Sequence, residues 1–174
     1  MWLNKHYIFL LVAGFGILGT SETYADPKVK RLGGYGDWYA EVYVEKKNKR
    51  ICHIWSRPIK KKGKYRKRGD VAFYVTHRPP KIKNEVSILA GYKYKKDSKA
   101  RALIGGAKFV FFTDEDVAWL RTVKKEKALV QAMQRGRTMT FEGVSSRSTK
   151  TTDIYSLTGF SAAYNEISKA CRIK

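Results

Sequence analysis

The chain is 174 residues long and carries 36 Lys and Arg against 15 Asp and Glu, a formal charge of +21. Such a length suits one domain with a real core, and no Gly/Ser/Pro-rich linker divides it, which excludes a string of domains. No segment of roughly 20–50 residues recurs, which excludes a repeat architecture.

Met1–Asn4 lead into the basic pair Lys5 and His6, then the apolar run Tyr7–Leu18, and then Thr23-Tyr24-Ala25, a small-x-small site. That three-part layout predicts a secretory signal peptide over residues 1–25, cleaved after Ala25. Its apolar core of about a dozen residues falls short of the ~20 that span a membrane. No cysteine stands at the processing site, so a lipid anchor is not expected there. Residues 26–35, with two glycines and several charges, read as a flexible N-terminal arm, and residues 36–174 as a single domain.

Cys52 and Cys171 are the two cysteines. Outside the cytoplasm an even pair most often forms one disulfide.

The body alternates as strands do. Trp38, Ala40, Val42 and Val44 share one face, and Arg50–Ser56 and Val71–His77 repeat the period of two. Asn84–Tyr92, Ala107–Thr113, Thr138–Ser145 and Thr152–Leu157 are further strands, separated by Lys/Gly-rich, Pro-Pro or Ser/Thr-rich turns. About seven short strands predict an antiparallel sandwich or barrel. Two segments differ. Lys124–Arg135 is rich in helix formers and is expected to end on Gly136 as a C′ residue. Phe160, Ala163, Tyr164, Ile167, Ala170 and Cys171 recur in steps of three and four, a helical stripe. A helix packing that stripe on the sheet carries Cys171 inward, where a strand cysteine such as Cys52 can meet it.

Catalytic chemistry is not signalled. No Gly-x-Ser-x-Gly, P-loop or dinucleotide fingerprint occurs, and Gly105-Gly106 marks only a turn. Cys52 and His53 are adjacent on a strand and so point to opposite faces, which argues against a shared metal. His77 reads as a strand-end residue. Thr113-Asp114-Glu115-Asp116 lacks the central glycine and distal glutamate of a calcium loop and reads as a solvated acidic turn. No catalytic residue, metal or cofactor is therefore expected.

Arg57–Arg68 holds eight bases and no acid. Lys46, Lys47, Lys49 and Arg50 precede it, and Lys93, Lys95, Lys96 and Lys99 form another cluster. Lying between strands, these are expected as exposed loops that merge into one basic surface. The expected anion-binding residues are Lys60, Lys61, Lys62, Lys64, Arg66, Lys67 and Arg68, with Tyr65, Tyr92 and Tyr94 able to stack. For an exported protein the fitting partners are anionic lipid, lipopolysaccharide or a sulfated glycan, or an envelope or host protein; nucleic acid is not expected. The plain alternative is lysine-rich decoration of solvated loops.

The order of segments resembles a known family. Gly36-Asp37-Trp38 opens the domain, and the strand bearing Cys52 follows. Next comes Thr76-His-Arg-Pro-Pro-Lys-Ile-Lys-Asn-Glu-Val-Ser-Ile-Leu-Ala-Gly-Tyr92, and later Ala118-Trp119-Leu120. The close runs from Met133-Gln-Arg-Gly-Arg-Thr-Met through Gly143-Val-Ser-Ser-Arg and Thr151-Thr-Asp-Ile-Tyr-Ser-Leu157 to Ala170-Cys171. This pattern is similar to the invasion-associated locus B family of alphaproteobacterial exported proteins. The resemblance implies an immunoglobulin-like β-sandwich with one disulfide and no catalytic residues. It also implies a cell-envelope protein, linked in some pathogens to invasion of host cells. The expected function is non-enzymatic binding in the envelope. A periplasmic enzyme or assembly factor is the alternative, and a deep cleft gathering carboxylates, or His53 with His77, would favour it.

Overall fold

The computed structural model describes residues 28–45 and 49–173. The expected leader and its cleavage site lie outside the described residues, as do Lys46 and Lys47.

Among the described residues, eleven strands form one antiparallel sheet. In chain order they are β1 (Lys28–Tyr35), β2 (Trp38–Val44), β3 (Arg50–Ser56), β4 (Lys60–Gly63), β5 (Ala72–Arg78), β6 (Ile82–Leu89), β7 (Lys99–Ile104), β8 (Ala107–Asp114), β9 (Val117–Trp119), β10 (Thr138–Val144) and β11 (Lys150–Ser156). Helix α1 (Val123–Arg135) is inserted before β10, and α2 (Phe160–Ala170) follows β11. Across the sheet the order is β1-β2-β3-β5-β6-β9-β8-β7-β10-β11-β4.

The predicted alternation decides which face is buried. Trp38, Ala40 and Val42 point inward beside Cys52 and Ile54, and these lie beside Val75 and His77 in register. The sheet curls until its far strands meet. The Trp38 indole Nε1–H donates to the Ser156 carbonyl of β11 at 3.0 Å, and the Phe73 ring meets Tyr155 edge-on at 5.8 Å. A single sheet thus supplies both leaves of the expected mainly β sandwich, with the three-residue β9 joining them.

Both helices are where the sequence places them. Thr122 caps α1, its hydroxyl accepting from the Lys125 N–H at 3.3 Å, and Leu129, Val130 and Met133 face the core. Gly136 ends α1, but at φ −82° rather than in the left-handed conformation expected of a C′ glycine. Its smallness serves packing instead: a Cβ there would stand 2.7 Å from the Ile104 side chain and 2.9 Å from Leu157. Helix α2 buries Phe160, Ala163 and Ile167 against β1, β2 and β3. It delivers Cys171 to Cys52, with a Cα–Cα distance of 6.0 Å and a disulfide spanning 119 residues.

Four strands stand where the sequence reading has none. The expected flexible arm is largely β1, which pairs with β2 from Lys28 to Tyr35 through a bulge between Arg31 and Gly33. Strand β4 occupies the start of the expected basic loop and pairs with β11. Strands β7 and β9 complete the sheet.

Candidate anion-binding face

The seven predicted basic residues divide into three groups. Lys60, Lys61 and Lys62 are exposed on β4, at the edge of the sheet. Lys64, Arg66 and Lys67 are exposed in the segment that follows.

Arg68 is a correction, because it is not available to any partner. Its side chain is 3% exposed, and its two terminal nitrogens donate to the Asp153 carboxylate at 2.7 and 2.6 Å. Its Nε donates to the Ala90 carbonyl at 2.7 Å, and the Tyr92 ring lies 4.9 Å and the Tyr65 ring 5.5 Å from the guanidinium. The planar fork of arginine suits this bidentate, stacked position. Tyr92 also shares a hydrogen bond of 2.5 Å with Thr151. The predicted stacking tyrosines therefore belong to an internal polar cluster, and Tyr94 is buried.

Lys60 and Lys62 join a larger basic face, whereas Lys61, beside the buried Asp153, stands on the other side of β4. Lys60 stands beside Ile154 and Lys62 beside Thr152 on β11. Register carries the same face through Thr140, Glu142 and Val144 of β10 and Leu103 and Arg101 of β7, and on to Lys108 and Val110 of β8. A groove of about 430 Å³ lies on it, with Lys99, Arg101, Lys108, Val110, Glu142 and Lys150 among its walls. Glu142 is paired with Arg101. No other acid among the groove's walls pairs with Lys99, Lys108 or Lys150. Of the second predicted cluster, Lys99 joins this face, while Lys93 is paired with Glu115 at 2.7 Å. Lys108, Lys150 and Arg101 do not stand out in the sequence, where they are scattered single bases on strands rather than a run.

The histidines do not converge. His53 points outward, with Nε2 3.4 Å from Glu41, while His77 points inward from the neighbouring strand. His77 Nδ1 accepts from the Asn84 N–H at 3.2 Å, so its Nε2 carries the proton and donates to Ser168 Oγ at 3.2 Å. Burial foremost, and then the charge of Lys83, lower its pKa to about 4. The ring is a neutral structural group that stands in a register shift between β5 and β6. Tyr164 of α2 donates to the Asn84 side-chain oxygen at 2.6 Å, which fastens the helix to that shift.

No curated protein and no solved structure matches the chain. The family description "Invasion associated locus B (IalB) protein" matches residues 38–168. That stretch begins at Trp38, which joins the two leaves of the sandwich, and ends at Ser168, beside His77. The match takes in β2 to β11, α1 and most of α2, and the chain belongs to the invasion associated locus B family.

Proposed function

We propose that the protein is an exported, non-enzymatic binding module of the cell envelope that meets anionic partners through the basic face of β4, β11, β10, β7 and β8. The observation that carries this reading is the groove in which Lys99, Lys108 and Lys150 gather around a single, already paired acid, Glu142. Export rests on the charged–apolar–small layout of residues 1–25 and on the character of the family. The placing of His53 and His77 on opposite faces supports this reading over an enzyme built on that pair.

Lysines on an edge strand also deter strand-to-strand aggregation, so β4 alone has a sufficient structural reason for its charge. The groove residues lie mostly on interior strands and have no such reason. Binding to immobilised heparin and to phosphatidylglycerol vesicles at two salt concentrations tests the reading. Attraction between exposed charges is screened over about 8–10 Å at physiological ionic strength, so affinity falls steeply with salt. Replacing Lys60, Lys62, Lys99 and Lys150 by Gln weakens binding and leaves the melting temperature nearly unchanged, since exposed charges contribute little to folding. Equal binding by this variant and the parent makes the lysines decoration.

A further inference from the structure

The outer face of the sheet carries an aromatic line that leads into the basic groove. In register, Tyr39 stands beside Trp55, Trp55 beside Tyr74, Tyr74 beside Ser87, Ser87 beside Trp119, Trp119 beside Phe112, and Phe112 beside Lys99. Each of these aromatic residues is at least partly exposed, and none belongs to the core. The rings of Tyr39 and Trp55 stack at 4.7 Å and those of Trp119 and Phe112 at 5.6 Å, with Arg121 4.9 Å from the Phe112 ring. The line ends on Lys99, a wall of the groove, and Val110, two residues before Phe112 on the same face of β8, is another.

A basic groove alone takes any anion. Aromatic surface beside it adds a preference for a ligand that alternates charge with apolar ring faces, and a sugar ring presents such a face of C–H groups. A line crossing strands about 4.8 Å apart suits an extended polymer rather than a single head group. In the next register row, Glu41, His53 and Glu85 are half-buried and offer hydrogen-bond partners for hydroxyls, with Thr76 buried between them. The row's carboxylates are paired, Glu41 with Arg31 and Glu85 with Arg78, so it adds no net positive charge for the dense phosphates of a nucleic acid.

We propose that this face binds an extended acidic polysaccharide, with sugar rings against Trp119 and Phe112 and its carboxylate or sulfate groups among Lys99, Lys108 and Lys150. This inference rests on the anion-binding reading of the basic face and narrows its ligand class.

The test measures binding of the purified protein to polygalacturonate, heparin, uncharged dextran, phosphatidylglycerol vesicles and oligothymidylate. Three variants are compared with the parent: Phe112→Leu with Trp119→Leu, which keeps apolar bulk without the rings; Phe112→Tyr, which keeps the ring; and Lys99, Lys108 and Lys150→Gln. Both acidic polysaccharides bind the parent and dextran does not, with the tighter of the two identifying the favoured charged group. The double leucine variant loses about tenfold in polysaccharide affinity. It keeps its vesicle binding, and Phe112→Tyr behaves as the parent. Tryptophan emission of the parent shifts with polysaccharide and not with vesicles, a readout that stands even if the leucine variant melts early. Unchanged polysaccharide affinity in a folded leucine variant overturns the inference, as does tighter binding of oligothymidylate. If vesicles bind and neither polysaccharide does, this inference fails and the anion-binding reading stands. If the lysine variant binds every anion as the parent does, that reading itself fails.

Discussion

Between Lys64 and Arg68 the chain passes from a solvated ammonium to a guanidinium sealed against Asp153, with bases of one sign along the way. The physical difference is the partner. A buried charge left without its counter-ion costs about 3–5 kcal/mol, whereas exposed substitutions away from special features stay within about 0.5 kcal/mol. Arg68→Gln is therefore expected to lower stability by roughly the larger amount and Lys64→Gln or Lys67→Gln hardly at all, as urea denaturation will measure. Arg68→Met combined with Asp153→Leu is expected to recover part of the loss, because no charge is then stranded. Two other buried groups set the response to pH, with opposite signs. His77 has a folded pKa of about 4, below the ordinary 6.5, so the unfolded chain takes up its proton first and stability falls as pH drops from about 6.5 towards 4. Burial foremost raises the Glu126 carboxyl to about 7, so the folded protein holds its proton longer and stability falls as pH rises from about 4.5 to 7. Each contribution is at most about 3–4 kcal/mol. In Glu126→Gln the fall on the alkaline side is expected to vanish while the acid-side fall from His77 remains, a difference that melting temperatures at pH 4.5, 6 and 8 will reveal.

Among the elements, the hairpin between β1 and β2 is held against the loop before α2. The Asp37 N–H donates to the Thr158 carbonyl at 3.1 Å, and Gly36 at φ 56° faces Gly159 at φ 86°. A side chain at Gly159 would occupy the place of the Tyr35 carbonyl. Gly159→Ala is thus expected to cost more than about 2 kcal/mol, from a clash with backbone added to left-handed strain. An exposed glycine such as Gly105, where a Cβ meets nothing within 4 Å, gives the comparison that separates strain from clash in a thermal melt. The same elements explain what a reader of the sequence could see. Strands that bury one face, such as Trp38–Val44, and helices with a stripe, such as α2, advertise themselves by period. Strand β4 buries nothing, so Lys60-Lys61-Lys62-Gly63 reads as a loop, and β1 hides its pairing behind charges and glycines. Strand β7 does alternate, through Ala100, Ala102 and Ile104, but two of its inward residues are only alanines. The fate of Arg68 had one legible sign, Asp153 on the inward face of an alternating strand between Thr151 and Tyr155, where an acid requires a cation. The basic groove had none, since it is assembled by register from bases far apart in sequence.

At the scale of the whole molecule, the Cys52–Cys171 bond ties β3 to the end of α2 across 119 residues. Chain entropy gives a cross-link over such a span about 4–5 kcal/mol, so Cys52→Ala with Cys171→Ala is expected to lower stability by about 2–5 kcal/mol. Denaturant midpoints of the double variant and of the reduced parent should agree, because both remove the same constraint. The seating of Trp38 has a consequence for the chain's birth. Two of the residues that enclose it, Ser156 and Phe160, are made about 120 positions later, and before them only Phe73 lies edge-on against its indole. Closure of the two leaves over Trp38 therefore waits for α2, and long-range pairing of this kind is slow. Under the export proposed above, this delay keeps the two leaves apart until α2 has been made.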